Sequence, residues 1–165
     1  MYKRQRPNLQ GKHTRQGETH TIWTPENFVE QLFEYVNRSR TKTFSEFRYG
    51  ESGDFYTEGQ VQWFADVSAI LRTKNIVTYG YTARTDFDLT ALVASSQVNL
   101  SNDKHHSALY QSLGANRFKA VHNYTGKADA ICQCPALKKL GIKRQCENCN
   151  YCKVETGLIE EILRK

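Results

Sequence analysis

Residues 57–101 read TEGQVQWFADVSAILRTKNIVTYGYTARTDFDLTALVASSQVNLS, and the alternation inside this stretch decides the fold. Thr57 and Gln60 fit a capping box, the side-chain arrangement that satisfies orphan amides at a helix start. Val61, Phe64, Val67, Ser68 and Leu71 then fall on one face of a 3.6-residue repeat. From Asn75 to Thr82 the period changes. Apolar and aromatic residues there occupy both faces, which predicts a strand covered on both sides. Asp86 to Ser95 predicts a short helix, and Gln97 to Ser101 a short strand.

The same alternation extends in both directions. Upstream, Thr24 suits an N-cap, Pro25 the first helical position and Glu26 the positive end of the helix dipole. Phe28, Val29, Leu32, Phe33 and Val36 supply the apolar stripe of that helix, and Ser39 to Thr43 its exit loop. Phe44 to Tyr49 predicts a strand that ends in Gly50-Glu51-Ser52-Gly53-Asp54. Downstream, Lys104 to Leu113 predicts a helix stopped by Gly114, and Asn116 to Asn123 a fourth strand. Leu158, Ile159, Ile162 and Leu163 predict a short closing helix. Strands alternating with helices imply an α/β fold with a mostly parallel sheet, open or partly barrel-like. The predicted organisation is a basic arm at 1–20, an α/β core at 21–128, and a cysteine-rich metal site with the closing helix at 129–165, packed on the core.

The 165 residues are enough for one core, and 39% hydrophobic with 24% charged residues is a globular balance. No apolar run approaches a membrane span. Met1-Tyr2-Lys3-Arg4 carries no export signal, so the expected compartment is a reducing cytoplasm. The net charge of +6 is concentrated at one end. Of 23 Lys and Arg, Lys3, Arg4, Arg6, Lys12 and Arg15 precede the first acid, Glu18, which leaves 18 bases against 17 acids. Such an arm either follows a phosphate backbone or is a solvated leader.

All five cysteines fall in 21 residues: Cys132, Cys134, Cys146, Cys149 and Cys152. Cys-x-Cys-Pro, ten residues, then Cys-x2-Cys-x2-Cys bring several thiolates together at small loop-closure cost, as a soft metal requires. Cys146, Cys149 and Cys152 are the safest ligands. Cys134 is the preferred fourth because Pro135 stiffens its turn, with Cys132 as the alternate. Zn2+ and an iron–sulfur cluster both accept this donor set, and the centre can be a redox or catalytic cluster or a staple for a small apolar-poor segment. Lys138, Lys139, Lys143 and Arg144 on the intervening loop can offset thiolate charge, contact phosphate, or simply face water.

In a parallel α/β fold, ligands gather beyond the carboxyl ends of the strands. Polar residues recur there: Glu51, Ser52 and Asp54; then Thr82, Arg84 and Asp86; then Ser101, Asn102 and Asp103, with His105 and His106 beyond; then His122 and Asn123. The candidate catalytic set is Ser52, Asp54, Arg84, Asn102 and His105. A carboxylate and a histidine can move protons, and a guanidinium can grip a carboxylate or phosphate. Each also has a local alternative: a turn at 52–54, a helix cap at Thr85 or Asp86, an exposed helix start at 105–106. Walker, GxGxxG, HExxH, GxSxG and deaminase patterns are missing, which argues against the common enzymes that carry them.

Glu51-Ser52-Gly53-Asp54-Phe55, a helix containing Trp63, Tyr79-x-Tyr81-Thr82-x-Arg84, a Cys-Pro and the final Cys-x2-Cys-x2-Cys together make residues 44–152 similar to the phage gene-product-88 family. The resemblance implies an α/β, barrel-like fold with a cysteine metal site and supplies no verified reaction. Longer members carry a further cysteine-rich motif near the N-terminus, where this chain has its basic arm. The expected function is a phage-type metal-binding protein with a ligand crevice at the strand ends. The alternatives are a nucleic-acid-binding module, built from the arm and the basic loop around a structural zinc, and a host-directed interaction protein.

Overall fold

A computed structural model describes residues 20–38, 44–50, 54–84, 86–101, 108–121, 130–132 and 150–162, with backbone alone at 120, 121, 130–132 and 160–162. Among these residues six strands form one sheet: β1 (Glu46–Tyr49), β2 (Val77–Thr82), β3 (Gln97–Ser101), β4 (Asn116–Val121), β5 (Ala130–Cys132) and β6 (Leu158–Ile162). Their spatial order is β1-β2-β3-β4-β6-β5, and every pairing is parallel. Four helices join or precede them: α1 (Pro25–Arg38), α2 (Glu58–Thr73), α3 (Thr90–Ser95) and α4 (Ala108–Ser112).

The topology follows from the handedness of parallel crossovers. β1, β2, β3 and β4 step in one direction through α2, α3 and α4, so right-handed connections put these helices on one face. The step from β5 to β6 runs backwards, and the turn of residues 150–157 that leads into β6 lies on the opposite face. The packing agrees. Tyr49, Val98 and Leu100 meet Val61, Ala65, Leu92, Val93 and Tyr110 on the helical face. Phe118 and Ile159 meet Cys152, Tyr79, Tyr81 and Tyr151 on the other. α1 joins the helical layer by packing Val29 and Phe28 onto Trp63, Val67 and Leu71 of α2.

Local chemistry sets the helix starts. The Asn27 amide donates to Thr24 Oγ1 at 3.3 Å, so Thr24 caps α1. The Gln60 amide donates to Thr57 Oγ1 at 3.2 Å, while Gln60 Oε1 accepts from the Tyr56 amide at 2.9 Å, one residue before the expected reach-back. α3 begins at Thr90 rather than Asp86. Asp88 takes the Thr90 amide at 2.9 Å, and Asp86 is occupied by Arg84. Gly114 has φ of 100°, the left-handed conformation that ends α4.

Two expectations are corrected. Residues Leu158–Ile162 form β6, not a closing helix. The 158, 159, 162 spacing imitates a helical stripe, but ladders to β4 on one side and β5 on the other satisfy this backbone. The sheet also gains the three-residue strand β5, too short to leave a periodic signal. β2, expected to be covered on both sides, lies between β1 and β3. It sends Gly80 to the helical face beneath the Tyr49 ring, and Tyr79 and Tyr81 to the other.

Candidate functional site

At the carboxyl edge, two of the five candidate catalytic residues are described, and they share one network. Asp54 Oδ1 accepts from the Phe55 amide at 2.9 Å and from the Thr82 hydroxyl, and Asp54 Oδ2 accepts from the Ala83 amide at 2.7 Å. The loop after β1 is thereby tied to the end of β2. Arg84 closes the same loop: one guanidinium nitrogen donates to the Phe55 carbonyl at 2.9 Å. Its Nε and other terminal nitrogen grip Asp86 at 2.8 and 2.7 Å, and its plane lies 4.1 Å from the Phe87 ring centre. The hydrogen bond from Arg84 holds the Asp86 carboxyl below its ordinary range. Ser52, Asn102 and His105 lie outside the described residues, as do Glu51, Asp103, His106, His122 and Asn123.

On the second face, the turn from Asn150 to Gly157 carries Cys152. The Lys153 amide closes it on the Asn150 carbonyl at 2.8 Å. Cys152 is buried and packs with Phe118 and Ile159. Lys153 is buried too. Its Nζ reaches Glu46 at 2.6 Å, pinning the turn to the β1 edge of the sheet.

Beneath the turn lie two asparagines that sequence inspection read only as strand residues. Asn99 of β3 and Asn116 of β4 are register partners, and both are fully buried. Asn99 Nδ2 donates to the Gly80 carbonyl at 3.0 Å and the Cys152 carbonyl at 2.9 Å. Asn116 Nδ2 donates to Asn99 Oδ1 at 3.0 Å, the Tyr151 carbonyl at 3.2 Å and the Val154 carbonyl at 2.9 Å. Asn116 Oδ1 accepts from the Thr156 and Gly157 amides at 2.6 and 3.1 Å. One signal pointed to them: Val98-Asn99-Leu100 sets an amide inside an apolar strand, where it requires buried partners.

Cys132 ends β5. There Ala130 pairs with Ile159 and Cys132 with Glu161, so the two-residue strand repeat gives positions 130 and 132 the face of Ile159. Cys134, Cys146 and Cys149 lie outside the described residues, as do Lys3, Arg4, Arg6, Lys12, Arg15, Lys138, Lys139, Lys143 and Arg144. Among the described residues no three His, Cys, Asp or Glu side chains gather into a cation site, and no helix is long and apolar enough to cross a membrane.

A cavity of about 590 Å³ opens at the amino ends of the strands, between Arg72, Thr78, Ser96, Gln97, Lys153 and Glu155. Several of its polar groups bond within the chain: Arg72 to the Ala94 carbonyl, Ser96 to the Leu92 carbonyl, Gln97 to the Gly114 carbonyl and Lys153 to Glu46. Comparison with protein-family models, curated proteins and solved structures finds no match to this chain.

Proposed function

We propose that this chain is a metal-binding α/β protein whose cysteine run holds one thiolate-ligated centre, Zn2+ or an iron–sulfur cluster, against the second face of the sheet. The observation that carries this is the meeting of the two ends of the run. Cys152 packs on Ile159, and position 132 lies on the neighbouring strand, one two-residue step beyond the partner of Ile159. Strand spacing and rise put that position about 8 Å from the Ile159 backbone. A metal clip contributes most where it joins positions far apart in sequence and near in space. Cys134, Cys146, Cys149 and Cys152 are the proposed ligands, with Cys132 as the alternate fourth.

The carboxyl-edge network supports a scaffold role in this proposal. Asp54 and Arg84 direct their hydrogen bonds into the chain itself, so contact with a ligand in the crevice would fall to Ser52, Asn102 and His105. The test is metal analysis, with a visible spectrum, on protein purified without oxygen. The expected result is about one zinc per chain, or iron with sulfide, lost in Cys146→Ser and Cys152→Ser. A wild-type chain without metal, or serine variants that retain all of it, would overturn the proposal.

A further inference from the structure

The second face of the sheet carries the cluster of Phe118, Ile159, Tyr79 and Tyr81, and beside it two fully buried amides stand side by side on β3 and β4. An apolar pair would fill that position without the need to satisfy each donor and acceptor, so the amides call for a specific purpose. Their partners show what it is. Apart from the Asn99–Asn116 bond and the Gly80 carbonyl, their side-chain hydrogen bonds go to backbone of residues 151–157. Carbonyls 151, 152 and 154 are held from below, and amides 156 and 157 are caught as the chain turns into β6. The path of the turn is thus held by the two amides, together with the turn's own Thr156 hydroxyl, which donates to the Tyr151 carbonyl at 2.8 Å, and Lys153, which reaches Glu46. The turn delivers the Cys152 side chain, with Tyr151 beside it, onto the sheet-face cluster of Phe118 and Ile159.

We propose that Asn99 and Asn116 are positioning residues for Cys152: the buried amide pair sets the place and orientation of this thiol for the metal centre proposed above. Supporting hydrogen bonds of this kind hold a ligand's geometry in advance of the metal and slow its release. The inference rests on the metal-binding proposal, yet it also makes a claim about the thiol that needs no metal.

The test compares wild type, Asn99→Ala, Asn116→Ser and Val67→Ala. Val67 is a buried residue of the α1–α2 cluster on the helical side and serves as a control for general destabilisation. Two quantities are read on the full chain. One is the rate at which the as-purified metal passes to a colorimetric chelator. The other is the rate at which Cys152 of metal-stripped protein is alkylated by iodoacetamide, followed by peptide mass. The asparagine variants are expected to lose metal about 10–100-fold faster than wild type, as loss of ligand-orienting partners does, and to expose Cys152 to alkylation faster. Val67→Ala, compared at equal thermal destabilisation, is expected to change neither rate comparably. If the asparagine variants match Val67→Ala in both rates, the positioning role is wrong while the metal proposal stands. If wild type holds no metal, the metal proposal fails, and alkylation then decides the positioning of Cys152. Should an asparagine variant fail to fold, the other member of the pair carries the same comparison.

Discussion

Gly80→Ala tests the helical face of the sheet at its tightest point. Tyr49 and Gly80 are register partners on β1 and β2, and the Tyr49 ring lies flat over the glycine. A Cβ at position 80 would sit 2.2 Å from Tyr49 Cε2, 2.3 Å from Cδ2 and 2.7 Å from Cζ. Carbon atoms pack at about 3.5–4.0 Å, so the ring must move by more than ~1 Å. It has nowhere to go. It is 2% exposed, lies against Phe55 and Phe64, and its hydroxyl meets Ser96 Oγ at 3.0 Å. The expected cost is about 3 kcal/mol, the upper end for an overpacked core, read as a lower urea midpoint at unchanged slope. Tyr49→Ala removes the obstacle at a cost of about 3–5 kcal/mol for the cavity. In that background Gly80→Ala should cost less than about 0.5 kcal/mol, leaving a coupling energy of a few kcal/mol. Additive costs in the double variant would refute the packing, and with it the β1–β2 register.

The Tyr49 phenol is pushed up from its ordinary value by burial, against a smaller opposing effect of Ser96. Above about pH 10 the unfolded chain therefore releases a proton that the folded chain retains, and stability falls as pH rises. Tyr49→Phe should remove that share of the alkaline loss, and the alkaline absorbance that distinguishes wild type from the variant should appear only on unfolding. Glu46→Gln leaves the buried Lys153 ammonium without its carboxylate. Because Glu46 is 38% exposed, the expected loss is reduced to about 1–2 kcal/mol from the ~3–5 of a fully buried pair, measured by urea unfolding. Trp63→Phe removes the 2.7 Å bond from the indole to the Trp23 carbonyl. It should cost about 1 kcal/mol and loosen the start of α1, seen as faster exchange of the Asn27 and Phe28 amides, which bond to Thr24. Asp86, lowered by the Arg84 hydrogen bond, adds stability above its unfolded pKa that disappears as pH falls through its folded one. Asp86→Asn should therefore flatten the acid limb of the stability profile.

Much of the fold could be read from residue periodicity. The Thr24 and Thr57 caps, the α2 stripe, the two-sided β2 and the Gly114 stop are each set by local chemistry that a single sequence displays. β6 was harder to identify because Leu158, Ile159 and Ile162 satisfy a helical as well as an extended spacing, and only the ladders with β4 and β5 decide between them. At the site, the cysteines announced themselves by spacing, and the carboxyl-edge residues Asp54 and Arg84 do come together as the parallel topology required. What the sequence could not show is their engagement. Both groups are committed to loop carbonyls, amides and each other's neighbours, a result of how the loop folds back. Asn99 and Asn116 were hidden for a related reason: their importance lies in bonds to backbone 35 and more residues away in sequence.

The most direct test of the proposed cysteine centre is X-ray absorption at the metal edge of protein purified without oxygen. A thiolate site predicts four sulfur neighbours at about 2.3 Å for zinc, or sulfur with a short iron–iron distance for a cluster, and one fewer cysteine sulfur in Cys152→Ser. A shell of oxygen and nitrogen alone, or a sulfur count unmoved by Cys152→Ser, would contradict the placement of that centre on the second face of the sheet.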